Sequence, residues 1–226
     1  SGVPVIVDID ESIMLDPDAF EEAVGPRTRA VIPVHMWGLL CDMDRILDIA
    51  RRHRLLVVED ACQCVGGFYG QHAAGTMGEA GAYSFNYYKN MTCGEGGAVV
   101  TNDDRTARRA RCMIDPCSFY WEGRDNAFSP FVNCGSRSSE IQGAMLLAQL
   151  ERIPALLARL RANKKKLLTL TADAGLCPNP GHCPDGECAT KLTYLLPDAH
   201  SADRMASKLG GGTLINTGRH TYTEWD

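Results

Sequence analysis

Residues 43–60 read Met-Asp-Arg-Ile-Leu-Asp-Ile-Ala-Arg-Arg-His-Arg-Leu-Leu-Val-Val-Glu-Asp. Met43, Ile46, Leu47 and Ala50 recur at the spacing of one helical face, so residues 43–53 read as an amphipathic helix. Residues 55–58 form a short apolar run ending in Glu59-Asp60, the pattern of a strand that emerges from a core into a charged end. Toward the amino terminus, residues 29–35 (Arg-Ala-Val-Ile-Pro-Val-His) read as another strand. Asp16 before Pro17, followed by Asp18, is a helix start, and Gly25-Pro26 is its stop. Residues 3–9 are rich in β-branched side chains and read as the first strand. Strands alternating with helices predict an α/β fold with a mostly parallel central sheet and helical crossovers.

Beyond Asp60 the pattern changes. Glycines at 66, 67, 70, 75, 78 and 81 mark a loop region, a use of glycine that includes close backbone approach to a ligand. Residues 82–85 and 97–101 emerge from it as strands on either side of Lys89. Ser139 opens a long helical stretch to about residue 170, with Pro154 as its break, placed as a bridge between domains. A boundary near 170 divides a large unit, 1–170, from a partial small α+β unit, 171–226. In the latter, residues 177–188 are irregular, 190–196 read as a strand and 202–209 as a helix.

The chain has 226 residues, is 45% hydrophobic and carries a net charge of −5, enough for a sizeable core and without the basic footprint of a nucleic-acid binder. Its one basic cluster, Lys164-Lys165-Lys166, reads as a solvated helix face. No apolar run reaches the roughly 20 residues that span a bilayer, and no signal peptide is visible, so a cytoplasmic location is expected. The ten cysteines are then expected as reduced thiols.

In open α/β sheets, ligands gather at the carboxyl ends of parallel strands, where His35, Asp60 with Gln63, and the segment from Ser84 to Lys89 fall. Alone, Asp60 would read as a turn acid and Lys89 as a surface lysine. Together they suit pyridoxal phosphate. A lysine among aromatics is partly desolvated, which favours the neutral amine that attacks an aldehyde; Asp60 would pair with a pyridinium nitrogen and Ser84 would hold a phosphate oxygen.

Ile32-Pro33-Val34-His35-Met36-Trp37-Gly38, Glu59-Asp60-Ala61-Cys62-Gln63, Gly75-Thr76-Met77-Gly78, Ser84-Phe85 to Lys89, residues 94–102 and Ser139-Glu140-Ile141-Gln142 resemble the successive motifs of the DegT-type (DegT/DnrJ/StrS) sugar aminotransferases, pyridoxal-phosphate enzymes of the aspartate-aminotransferase fold. The likeness runs from about residue 3 to 170 and fades after 175. It implies that Lys89 forms the Schiff base with pyridoxal 5'-phosphate, Asp60 pairs with the ring nitrogen, Gln63 lies near the ring hydroxyl and Ser84 binds the phosphate. It implies further that an amino donor, usually glutamate, and a keto-sugar acceptor react in turn, in a homodimer with the site at the subunit interface.

The chain also departs from the family. Gly135 stands where the family has an asparagine that contacts phosphate, and the Gly-Thr phosphate loop and stacking aromatic that precede this region in the family are not found, so the chain reads as an internal piece of a longer enzyme ending at Thr223-Glu224-Trp225-Asp226. Two other functions stand beside amino transfer: a sugar dehydratase of the same family, in which histidine replaces the lysine, and an inactive or regulatory fragment of the fold. His35 has two open readings, beside the cofactor or satisfying a strand-end hydrogen bond. Trp37, Tyr87 and Tyr88 read as pocket lining or as packing. Cys177, His182, Cys183 and Cys188 invite zinc, but their spacing does not match a Cys-x-x-Cys knuckle. Cys62 and Cys64 read as packing residues.

Overall fold

Asp16 accepts a hydrogen bond from the Asp18 N–H at 2.9 Å and Pro17 occupies the first turn, so the chain enters helix α1 (Pro17–Ala23) where the sequence signals it. Asp42 does the same for α2 (Met43–His53), whose Met43, Ile46, Ile49 and Ala50 are buried and whose end is closed by Arg54 in the left-handed region (φ 55°). The computed structural model describes residues 2–115, 117 and 135–217, and the stretch ending at Asp226 lies outside them.

The central sheet has the order β1 (Ala30–Val31), β2 (Leu56–Asp60), β5 (Ala80–Ser84), β6 (Gly97–Val100). The first three are parallel and β6 runs antiparallel to β5, so the mostly parallel α/β sheet is present. Between β2 and β5 the glycine-rich stretch carries a small hairpin, β3 (Phe68–Tyr69) with β4 (His72–Ala73), turned at Gly70 with φ 60°. Two apolar clusters flank the sheet. One joins Phe20, Met43, Ile46, Ile49 and Val57; the other joins Leu40, Ala61, Cys64, Phe85, Met91, Ile153, Leu157 and Cys188.

Helix α3 (Asp104–Ile114) follows β6, capped by Asp103, and no sequence expectation covered it. The long helical stretch is two helices, α4 (Glu140–Leu150) and α5 (Ile153–Thr171), with Pro154 in the first turn of the second, where its missing N–H costs nothing. A two-strand ribbon, β7 (Cys177–Pro178) with β8 (Tyr194–Leu195), and helix α6 (Ala199–Leu209) complete the described fold.

Four expectations change. The strand expected over 29–35 is reduced to Ala30–Val31, with an isolated bridge from Val34 to Asp60 beyond it. Residues 3–9 form no strand; among the described residues only the isolated bridge between Ile9 and Leu15 involves them, and Val3 is 91% exposed. β-branched composition favours extended backbone but a strand also needs a partner edge. The strand expected over 190–196 shrinks to Tyr194–Leu195 for the same reason. Lys164 does not belong to a solvated face: its ammonium pairs with Glu187 at 2.5 Å, both side chains largely covered, while Lys165 and Lys166 are exposed. Arg161 donates to the carbonyls of Gly186 and Glu187 beside it, so α5 grips the segment that follows.

Candidate active site

Alternation along β2 divides its two acids between the faces of the sheet. Asp60 lies beside Ala82 in the parallel register, and Ser84, two residues further along β5, shares that face; Glu59 lies beside Gly81, and Tyr83 shares the other. All of Asp60, Glu59 and Ser84 stand at the carboxyl ends of β2 and β5.

The face bearing Glu59 is structural. Glu59 and His35 are both fully buried, with His35 Nε2 and Glu59 Oε2 3.1 Å apart. The Cys41 N–H donates to His35 Nδ1 at 3.2 Å, which places the ring proton on Nε2, facing the carboxylate. Gly75 N–H donates to Oε2, and Met77 and Gly78 N–H donate to Oε1, at 2.7, 2.6 and 2.6 Å. Burial pushes the Glu59 carboxyl up, but the bonds from His35, Gly78 and Gly75 outweigh it and hold the group below its usual range. The two readings of His35 are thereby resolved in favour of the hydrogen bond, and the Gly75-Thr76-Met77-Gly78 motif acts as an anion cradle for Glu59.

The other face carries the residues singled out for chemistry. Asp60 is half-buried at the strand end, its Oδ1 accepting the Cys62 N–H at 3.0 Å. Gln63 sits in the turn that follows, its Oε1 accepting the Trp37 N–H at 3.2 Å, which leaves its –NH2 unspent among the described residues. Ser84 Oγ accepts the Asn86 N–H at 3.3 Å and keeps its own hydrogen. Lys89 is half-buried, its N–H donating to Asn86 O at 3.0 Å, and its ammonium has no ion-pair or hydrogen-bond partner among the described residues. Tyr87 and Tyr88 stack edge to face but are 71% and 88% exposed, so they neither pack nor shield Lys89 as expected.

The loop around Lys89 is tied at several points that the sequence did not announce. Asn86 Nδ2 donates to Glu95 Oε1 at 2.6 Å, Thr92 Oγ to Phe85 O at 3.1 Å, and Asn90 Nδ2 to Val65 O at 2.8 Å. The last bond sets the Lys89 loop against the turn of Gln63. Burial pushes the Cys62 thiol up to about 11, with a further push from its hydrogen bond to Asp60, while the charge of Lys89 pulls it down; the three side chains share one electrostatic neighbourhood. Helix α4 frames the loop: Ser139 and Gln142 form a reciprocal cap, Gln142 Nε2 donates to Glu95 O at 2.6 Å, and Gln149 bonds both backbone groups of Thr92.

Asp60 and Ser84 thus share one face at the ends of two adjacent parallel strands, and Gln63 and Lys89 lie on the loops that leave those strands. A carboxylate oxygen, an amide –NH2, a hydroxyl hydrogen and an amine are the donor set that a phosphorylated pyridine aldehyde requires. Of the cysteine–histidine group, Cys188 Sγ meets Cys64 Sγ at 3.8 Å, Cys183 Sγ donates to Phe68 O and His182 bonds Ser12, so these side chains face separate partners. Gly135 has φ 76°, a conformation that an asparagine would adopt less readily, so the departure from the family suits the local backbone.

Sheet order, helices and strand-end site define a member of the fold type I class of pyridoxal-phosphate enzymes. The chain belongs to the DegT/DnrJ/EryC1/StrS aminotransferase family, whose model matches residues 1–215. It is 43% identical over 162 residues to the GDP-perosamine synthase of Caulobacter vibrioides, covering 70% of this chain and 42% of that protein. It is 37% identical over 216 residues to the L-glutamine:2-deoxy-scyllo-inosose aminotransferase of Streptoalloteichus tenebrarius, covering 90% and 49%. Among solved structures it is similar to DesV of S. venezuelae in complex with a ketimine intermediate (TM-score 0.78, 32% identity, 93% of this chain and 56% of that one). It is likewise similar to the aminotransferase from Psychrobacter cryohalolentis (TM-score 0.80, 28% identity, 92% and 58%). The chain therefore spans about half the length of the relatives it matches.

Proposed function

We propose that the chain is the cofactor-binding part of a pyridoxal-phosphate aminotransferase that passes an amino group from an amino acid to the ketone of a sugar or cyclitol. The observation that carries the reading is the gathering of Asp60, Gln63, Ser84 and Lys89 at the ends of β2 and β5 and on the loops leaving them, with the Gln63 –NH2, the Ser84 hydroxyl hydrogen and the Lys89 amine unspent among the described residues. When bound, pyridoxal phosphate supplies an aldehyde for amine exchange and a ring that accepts electrons as a carbon–hydrogen bond breaks. Lys89 Nζ would hold the cofactor through its aldehyde, with loss of water, and, once freed by an incoming amine, would move the proton of the donor's α-carbon. Asp60 would keep a proton on the ring nitrogen, Gln63 Nε2 would donate to the ring oxygen and Ser84 Oγ would donate to a phosphate oxygen.

The expected donor is glutamate; since several relatives carry glutamine in their names, glutamine is tested beside it. The names of the relatives favour a keto-sugar or keto-cyclitol acceptor. The GDP-4-keto-6-deoxymannose-3-dehydratases of similar fold are 21–24% identical, a likeness of fold alone, and the family resemblance puts Lys89 where that chemistry uses histidine. Residues 1–170 then form the cofactor unit and 171–226 part of a smaller one, anchored to it by Glu187 and Cys188. The described cysteines are all unbridged, which suits a reducing, cytoplasmic setting. A homodimer is part of the proposal: α4 is apolar yet buries no residue, with Ile141 and Leu147 74% and 62% exposed.

The test loads the purified chain with pyridoxal phosphate and adds glutamate or glutamine. Conversion of the visible absorption band to the pyridoxamine form, by material with the mass of a dimer, is the expected result. A bound cofactor that ignores both donors contradicts the transferase reading, and full turnover by a monomer contradicts the dimer.

A further inference from the structure

We propose that Thr190 is a positioning residue for Gln63, acting through the backbone of Trp37, and so sets the donor that the pocket presents to the ring oxygen of the cofactor; this rests on the pyridoxal-phosphate reading above. Three segments remote in sequence meet here. The Trp37 N–H donates to Gln63 Oε1 at 3.2 Å, and the Thr190 hydroxyl donates to the Trp37 carbonyl on the other side of the same residue. The next peptide is held too, because the Cys188 N–H donates to Gly38 O at 2.8 Å.

Backbone strain marks the junction on both sides. Trp37 and Ala189 are two of the few non-glycine residues with positive φ, both at 55°, and Gly38 has φ 81°. Side chains larger than glycine hold that conformation only where their surroundings impose it. A Cβ at Gly38 would lie 2.8 Å from both Cys188 Cβ and Thr190 Oγ, so the 188–190 segment is pressed directly onto the Trp37 turn. A backbone N–H can only donate. Its contact therefore fixes the Gln63 amide with oxygen toward Trp37 and –NH2 turned to the remaining side, where an acceptor can use it. The Thr190 bond, with that of Cys188 to Gly38, holds the Trp37 turn in its positive-φ conformation, and that turn carries the N–H that orients Gln63; losing the Thr190 bond loosens one of its restraints.

The experiment compares Thr190→Val, Thr190→Ser, Gln63→Leu and the Thr190→Val/Gln63→Leu double variant. Two quantities are read on the cofactor-loaded chain: the dissociation constant for pyridoxal phosphate, and the pH midpoint of its visible absorption band. Losing the Gln63 donor leaves the ring oxygen holding the proton it shares with Lys89 Nζ more tightly. Thr190→Val is therefore expected to weaken binding about five-fold and to raise the midpoint by about half a unit, while Thr190→Ser restores both. On the Gln63→Leu background, Thr190→Val is expected to add no further midpoint shift, because the residue through which it acts is gone. A Thr190→Val midpoint equal to wild type, or a full shift that persists on the Gln63→Leu background, overturns the proposal. If borohydride fixes no cofactor to Lys89 in the wild-type chain, the cofactor reading itself fails; an adduct with an unmoved midpoint overturns this proposal alone.

Discussion

Glu59 and Asp60 are neighbours in sequence and opposites in role. Asp60 is half-buried, its side chain bonded among the described residues only within its own turn, to Cys62, whereas Glu59 is fully buried and spends both of its oxygens on His35 and three backbone N–H groups. A buried acid so satisfied stabilises the fold, and replacing its oxygen with a donor sets N–H against N–H. Glu59→Gln is expected to cost about 3 kcal/mol, read from urea denaturation. The pH dependence follows from the direction of the shift. Because the folded-state carboxyl is held below its usual range, its contribution is present above the ordinary value of about 4.3 and is lost as pH falls through the lowered folded value. The wild-type chain should therefore lose stability on acidification below about pH 5, and Glu59→Gln should flatten that loss; an acid limb as steep in the variant as in wild type contradicts the assignment. At this scale the sequence proposes the site rather than demonstrating it: Asp60 and Lys89 alone read as a turn acid and a surface lysine, and only their company with Ser84, and with Gln63 through the family resemblance, suggests the cofactor. Trp37's part was not legible, since it acts through a backbone N–H, which every residue but proline possesses.

Local coding of an element's ends disclosed α1 and α2 in the sequence, though α3, whose Asp103 cap is equally local, went unread. Asp16-Pro17 and Asp42 set the starts of α1 and α2 through side-chain bonds to their own first turns. Residues 3–9 and 190–196 read as strands in full and are not, because strand pairing depends on a second segment that composition does not reveal. The glycine-rich stretch was legible as a loop, but the reason for its glycines was not. A Cβ at Gly81 would lie 2.0 Å from Gly75 O, and one at Gly78 would lie 2.5 Å from Val57 O. These two glycines admit the cradle of Glu59 against β2 and β5. Gly81→Ala is expected to destabilise the chain by about 3 kcal/mol through forced displacement of that loop. Gly25→Ala, which meets nothing within 4 Å, should leave the denaturation midpoint where it is. Equal midpoints for the two variants would show that the loop yields without cost.

For the whole molecule, the order of motifs along the chain gave the α/β class and the family, and the comparisons support both. Less visible was how the segment after α5 returns to the large unit. Glu187 pairs with Lys164, Cys188 enters the core beside Cys64, and Thr190 reaches Trp37. The last two contacts join residues more than a hundred positions apart, and no local pattern announces them. On the function proposed above, the segment following the cofactor unit then helps to shape its pocket. The claim on which everything else depends is that Lys89 carries the cofactor. Its direct measurement is reduction of the pyridoxal-phosphate-loaded chain with borohydride, followed by peptide mass mapping. The account predicts a pyridoxyl adduct on Lys89, lost in Lys89→Ala together with at least about a thousand-fold of any transferase rate. An adduct on another lysine, or none, would contradict it.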